Sequence, residues 1–326
     1  MKRMILSVLI ICLLLASLAT AFVGCKGNNG GDKISIVVTI FPEYDWVREI
    51  LGEHAENVDL KLLMDNGADL HNYQPTASDI VTIGTCDMFI YVGGNSDQWV
   101  DDVLAQAVNK EMLVVNVMET LGDAVKEEES VNDADHDHDH DHDHDHAHEN
   151  DEHVWLSLNN AKTVCSVIAE KLSLLDEANA EDYAANKNAY CDKLTALSNK
   201  YQEAVDSATV KTLLFGDRFP FRYLVDDYGI DYYAAFSGCS AESEASFETI
   251  AFLAAKVDEL GLKSVIKIEG SDDSIAQTII NTSTAKNAKI LTLDSMQTIG
   301  KAGIEKGVTY LSVMENNLEV LKEALK

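Results

Sequence analysis

The sequence predicts an α/β protein of two lobes, each a parallel sheet flanked by helices, joined by a long rigid helix. Apolar, β-branched runs alternate with amphipathic helical stretches from residue 34 to residue 117, and such alternation builds parallel sheets with helices on their faces. The same alternation restarts near Val210. Between the two, Leu158 to Ala208 holds neither proline nor glycine and is rich in Ala, Leu, Lys and Glu, a composition suited to a rod between lobes.

In the first half, strands are expected over Ile34 to Ile40, Val58 to Leu63, Met88 to Val92 and Leu113 to Val117. Helices are expected over Glu43 to Glu53, Thr76 to Thr85 and Asp97 to Val108. The middle holds one helix near Asn159 to Leu175 and a longer one near Glu177 to Ser207. In the second half, Val210 to Phe215, Ile230 to Ala234, Ser264 to Ile268 and Lys289 to Leu293 read as strands. Phe221 to Tyr228, Ser246 to Leu260 and Ser271 to Asn281 read as the helices between them, and Tyr310 to Leu325 closes the chain. The domain reading is residues 34–176 for the N-terminal lobe, 177–207 for the linking helix and 208–326 for the C-terminal lobe. More than one core is expected for about 300 residues.

The N-terminus reads as a leader. Lys2 and Arg3 precede an apolar run from Met4 to Val23 that closes on Ala21-Phe22-Val23-Gly24-Cys25, which is similar to a bacterial lipobox with Cys25 as the lipid-bearing residue. Residues 1–25 are then signal peptide and lipidated cysteine, and 26–33, glycine- and asparagine-rich, a flexible tether. The competing reading is an uncleaved membrane helix, since about 20 apolar residues span a bilayer. Either way the rest of the chain lies outside the cytoplasmic membrane, anchored to it.

Charge is concentrated. The formal net charge is −30, which argues against nucleic acid as a partner. About half of it falls between Glu119 and Glu152, where acidic residues face Lys126 alone. Inside the loop at residues 127–150, aspartate and histidine alternate, with His136, His138, His140, His142, His144, His146 and His148 supplying seven of the chain's ten histidines. Neutral imidazoles bind zinc, nickel and copper, and the carboxylates keep the segment open and attract cations. The tract reads as an accessory metal-capturing loop. It does not make an enzyme, because strict alternation puts His140 where the metallo-hydrolase pattern H-x-H-x-D-H needs an aspartate, and a mobile tract lacks the fixed ligands of a catalytic zinc. Of the remaining cysteines, Cys86, Cys165, Cys191 and Cys239, none forms a C-x-x-C pair.

Particular words in the sequence resemble a known family. Gly67 to Thr76, reading GADLHNYQPT, resembles the first metal-ligand motif of the solute-binding lipoproteins that serve zinc and manganese importers of the ATP-binding-cassette class. Asp151 to Ser157, reading DEHVWLS, is similar to the second, and in the zinc branch a histidine- and acid-rich loop precedes it, as here. Tyr91 to Trp99 and the closing helix also fit. The resemblance runs from about Ile34 to the C-terminus. It implies a monomeric receptor, not an enzyme, that captures metal between its lobes and passes it to an ABC permease powered by ATPase subunits.

It also implies ligands. His71 falls between a strand and the helix after Pro75, at the carboxyl edge of a sheet where α/β folds place ligands, and His153 precedes Trp155, which would wall off a site. His54 has no motif around it and reads as exposed. At the third position relatives carry His-Asp, whereas this chain reads Phe215-Gly216-Asp217-Arg218. Asp217 is the metal-competent side chain there, with a water or a residue from 239–244 as alternatives and a helix N-cap as its bland role. Asp294 matches the final carboxylate, and Glu269 is held in reserve as ligand or support. Two imidazoles and two carboxylates suit Zn2+ and are acceptable to Mn2+; the histidine loop favours zinc. The alternatives are a manganese receptor of the same class, or a metal-storage or adhesin lipoprotein.

Overall fold

Two parallel four-stranded sheets carry the architecture, and their order places the site. The computed structural model describes residues 33–128, 150–240 and 244–326. The leader with Cys25 and the tract from His136 to His148 lie outside the described residues. In the first sheet β1 (Ile34–Val38), β2 (Val58–Leu62), β3 (Met88–Tyr91) and β4 (Leu113–Asn116) lie in the order β2-β1-β3-β4. In the second, β5 (Thr212–Phe219), β6 (Asp231–Ser237), β7 (Ser264–Ile268) and β8 (Lys289–Leu293) repeat that order as β6-β5-β7-β8. In each sheet the order reverses beside the first strand, so the crevice at its carboxyl end is open to ligand.

Crossover helices cover both sheets, as parallel pairing requires. They are α1 (Phe41–Leu51), α2 (Ala77–Thr85), α3 (Trp99–Gln106), α4 (Val117–Leu121), α5 (Leu158–Leu175), α6 (Ala180–Asp206), α7 (Arg222–Tyr228), α8 (Phe247–Leu260), α9 (Ser274–Thr282), α10 (Lys301–Glu305) and α11 (Tyr310–Ala324). The sequence reading lacks the five-residue α4 and α10, too short to show a period. The capping hydroxyls are legible: Thr76, Ser157, Ser246 and Thr309 each accept a backbone N–H in the first turn of the helix that follows.

The linking helix is packed rather than free-standing. A 3-10 turn over Glu177–Asn179 precedes α6, whose buried face is Tyr183, Tyr190, Leu194, Leu197, Tyr201 and Val205. Tyr201 donates its hydroxyl to the Met314 carbonyl on α11 at 2.6 Å. One apolar cluster runs through Ile36 and Ile90 of the first sheet, Leu213 and Phe215 of the second, and Trp46, Trp155 and Tyr310 between them. Residues Ile34–Lys326 accordingly form one compact unit. His54 joins this packing: its Nε2 lies 2.9 Å from Asp182 Oδ2, and its ring meets Tyr183 edge-on, so it is half-buried rather than exposed.

The second sheet departs from the expected pattern at its centre. β5 continues through Gly216-Asp217-Arg218 to Phe219, four residues beyond the apolar run, with a register shift against β6 between Phe215 and Arg218. A Cβ on Gly216 would stand 2.7 Å from Ala276 Cα, so this close approach of β5 to α9 requires glycine. The four cysteines of the described residues are free thiols.

Candidate metal centre

His71 and His153 reach one point from different segments. His71 lies in a 3-10 turn, Leu70–Asn72, between β2 and α2. Asp69 caps that turn, its Oδ1 accepting the His71 N–H at 3.0 Å. Among the described residues, the sheet-like pairing before His153 is a single antiparallel bridge, Glu127 to Asn150. His153 opens the turn Val154–Leu156, and Asp151 Oδ1 accepts its backbone N–H at 2.8 Å. The His153 ring is fully buried and packs against Trp155, with ring centroids 5.2 Å apart.

The Nε2 atoms of the two imidazoles stand 3.1 Å apart. Each Nδ1 has a partner on the far side: Asp151 Oδ1 at 3.0 Å for His153, and Ser96 Oγ at 2.9 Å for His71 with Glu152 Oε2 at 3.5 Å. An acceptor at Nδ1 holds the proton there and leaves the Nε2 lone pair for a metal. Two nitrogens bonded to one zinc at about 2.0–2.1 Å and the tetrahedral angle stand about 3.3 Å apart, so the pair already has the required spacing.

Carboxylates surround the pair. Burial raises Glu152, but hydrogen bonds from His71 and Ser96 outweigh it and hold the group below the ordinary range. Ser96 N–H donates to its Oε1 at 2.8 Å, and its buried Oε2 faces His71 Nδ1, so the carboxylate places negative charge behind that imidazole. Asp97 is pushed up to about 7, by burial first and by Glu152 next. These groups favour a cation between the imidazoles.

A third candidate donor lies two residues past the end of β6. Among the described residues, His71, His153 and Cys239 form a group whose ligand atoms all lie within 4.8 Å of one another. A Cβ at Gly238 would stand 2.8 Å from the Phe219 carbonyl oxygen and 3.1 Å from His153 Cε1, so glycine is what lets this loop approach the imidazole. Cys239 N–H donates to Glu128 Oε1 at 2.9 Å. Burial, then the charge of Glu128, pushes its thiol up.

The other expected ligands stand outside this group. Asp217 is a strand residue rather than a helix cap. Its Oδ1 accepts Arg218 N–H at 2.8 Å and its Oδ2 accepts Ile268 N–H at 3.1 Å, bridging β5 to β7 where the regular ladder is interrupted. Arg218 places both terminal guanidinium nitrogens 3.3 Å from Asp69 Oδ2, tying β5 to the turn that carries His71. Asp294 Oδ1 accepts Met296 N–H at 2.8 Å. Glu269, pushed up to about 7 by burial and then by Asp294, accepts Ser295 N–H and Oγ–H, both at 2.7 Å, and Gln297 N–H at 3.2 Å. These contacts hold Met296 in the left-handed region at φ 64°, a strained setting for a side-chain-bearing residue. Trp155 Nε1 donates to the Ser295 carbonyl at 2.8 Å, so this loop is fastened to the segment that presents His153.

Fold and site together define a two-lobed α/β architecture with an imidazole pair, one ring buried and one partly exposed, in the seam. Residues 36–324 match the family described as zinc-uptake complex component A, periplasmic (ZnuA), and the chain belongs to that family. It is 32% identical over 322 residues to the zinc-binding lipoprotein AdcA of Streptococcus pneumoniae, covering 96% of this chain and 60% of that protein. The chain thus spans less than two thirds of that relative. It is 28% identical over 313 residues to the high-affinity zinc uptake system protein ZnuA of Bacillus subtilis, covering 96% and 94%. The Zn(II)-bound ZnuA-like domain of S. pneumoniae AdcA superposes with a TM-score of 0.69 at 26% identity, covering 90% of this chain and 99% of that one. The metal-dependent lipoprotein YcdH of B. subtilis superposes at 0.73 with 25% identity, again covering 90% and 99%.

Proposed function

We propose that this protein captures zinc outside the cytoplasm, holds it between its lobes on His71 and His153, and delivers it to an ABC-type permease driven by cytoplasmic ATPase subunits. The observation that carries this reading is the 3.1 Å separation of two Nε2 atoms whose Nδ1 atoms are each held from behind. The zinc-binding and zinc-uptake names of the relatives support it. Binding and release of a cation need no bond-making chemistry, so the protein is a receptor and not an enzyme. It acts as a monomer, with its lobes supplying both sides of the site. Titration calorimetry with zinc tests the reading: one tight site per chain is expected, and weak sites alone would overturn it.

The Asp-His tract adds capacity and raises the local zinc concentration. Protons compete with zinc for its imidazoles, so the tract lets go of zinc as the pH falls. Deleting residues 135–148 lowers the number of zinc ions bound per chain and leaves the tight site close to its original affinity. Loss of that tight site with the tract would make the tract itself the receptor.

Cys25 anchors the protein through lipid. Among the described residues no helix is long and apolar enough to cross a membrane, so Cys25→Ser releases the protein into the medium or soluble envelope fraction. Unchanged membrane retention of that variant would point to an uncleaved leader helix.

A further inference from the structure

We infer that Cys239 is the third protein donor of the zinc site, making it a two-imidazole, one-thiolate centre; the inference rests on the zinc-capture reading above. At the third-ligand position β5 offers nothing to the imidazole pair. Gly216 is closed by α9, Asp217 spends both oxygens on backbone N–H groups, and Arg218 is paired with Asp69. The group that completes the cluster is instead Cys239 of the β6 loop, brought to His153 by the missing side chain at Gly238. Cys239 is a free thiol, and its backbone is held by Glu128.

The distances suit a metal that draws its donors together. With Zn–S near about 2.3 Å and Zn–N near about 2.05 Å, tetrahedral N···S separations are about 3.6 Å, so a group within 4.8 Å closes by roughly 1 Å, a movement that rotation at one cysteine χ1 supplies. As the Sγ–Zn bond forms, the Sγ–H proton leaves to solvent; no oxidant or reductant takes part. The buried Glu152 carboxylate stands behind the site with its Oε2 3.5 Å from His71 Nδ1, and its negative charge favours a cation on that imidazole. A thiolate also settles metal choice, because soft sulfur favours zinc and disfavours manganese.

Cobalt(II) is the probe, used on the full mature chain at one equivalent. A cobalt–thiolate bond gives an intense near-ultraviolet charge-transfer absorption that nitrogen and oxygen donors do not give, and the Asp-His tract contains no sulfur. The parent protein is expected to show this band, and Cys239→Ser to lose it while still binding cobalt. Cys239→Ser is also expected to weaken zinc by at least the roughly 10- to 100-fold that loss of an outer partner costs, and to narrow the preference for zinc over manganese. Zinc should protect Cys239 from alkylation in the folded protein, while Cys191, on α6, reacts equally with and without zinc. A parent complex that depends on His71 and His153 but shows no thiolate band, with Cys239→Ser unchanged in zinc affinity, overturns the thiolate and leaves the cleft reading standing. Tight cobalt binding that survives loss of both histidines overturns the cleft reading and the thiolate with it.

Discussion

His71→Ala and His153→Ala each weaken the tight zinc site by orders of magnitude and remove most of the zinc-dependent rise in melting temperature. For a tight ligand at about 1,000 times its dissociation constant, that stabilisation is about 4 kcal/mol. The two substitutions should act differently on the metal-free protein. His153 is fully buried among Trp155 and Asp151, so its truncation leaves a cavity and removes the imidazole's hydrogen bond to Asp151, which keeps only the backbone N–H at that position, and it lowers stability even without zinc. His71 is partly exposed and costs less. Thermal melts with and without one equivalent of zinc separate the effects. A double variant still stabilised in full by zinc would remove both residues from the site.

Trp155→Ala should be the most destabilising substitution near the site in metal-free protein. Its indole is almost fully buried, donates to the Ser295 carbonyl, and lies in the cluster shared by the two sheets. Truncating a buried tryptophan costs about 3–5 kcal/mol, which for a protein of this size is a fall in Tm of about 5–8 °C. The loop from Asp294 to Gln297 loses one of its fastenings, and His153 loses the wall against which it packs. Trp155→Phe keeps most of the apolar contact and gives up the hydrogen bond, for about 1 kcal/mol. Calorimetric melting of the three proteins tests the ordering; equal Tm for Trp155→Ala and the parent would contradict it.

The fold was legible because its strands are apolar runs with clear ends. Ser264–Ile268 and Lys289–Leu293 occupy the residues that hydrophobic patterning assigns. β5 was less legible. Its polar Gly216-Asp217-Arg218 interrupts the apolar run, and only the Asp217 side chain reaching Ile268 across the sheet shows why the strand continues there. His71 and His153 stand out because each sits in a short polar motif at a helix entrance. The thiol does not: Cys239 is separated from His153 by 86 positions, and no spacing rule links one cysteine to a distant histidine. The absence of a histidine after Phe215 is the available signal; in sequence it favours Asp217, the metal-competent side chain beside that strand, over a water or a residue from 239–244. Asp294 and Glu269 were attractive because they end strands, as ligands do. Their oxygens accept backbone N–H groups of Ser295, Met296 and Gln297, a role that sequence does not distinguish from coordination.

Anomalous diffraction across the zinc absorption edge, on crystals of the protein loaded with one equivalent of zinc, places the captured ion directly. A single strong peak is expected between the two imidazoles, about 2.0–2.1 Å from His71 Nε2 and His153 Nε2. A peak on Asp217 or Asp294, with both imidazoles unligated, would contradict capture at the histidine pair.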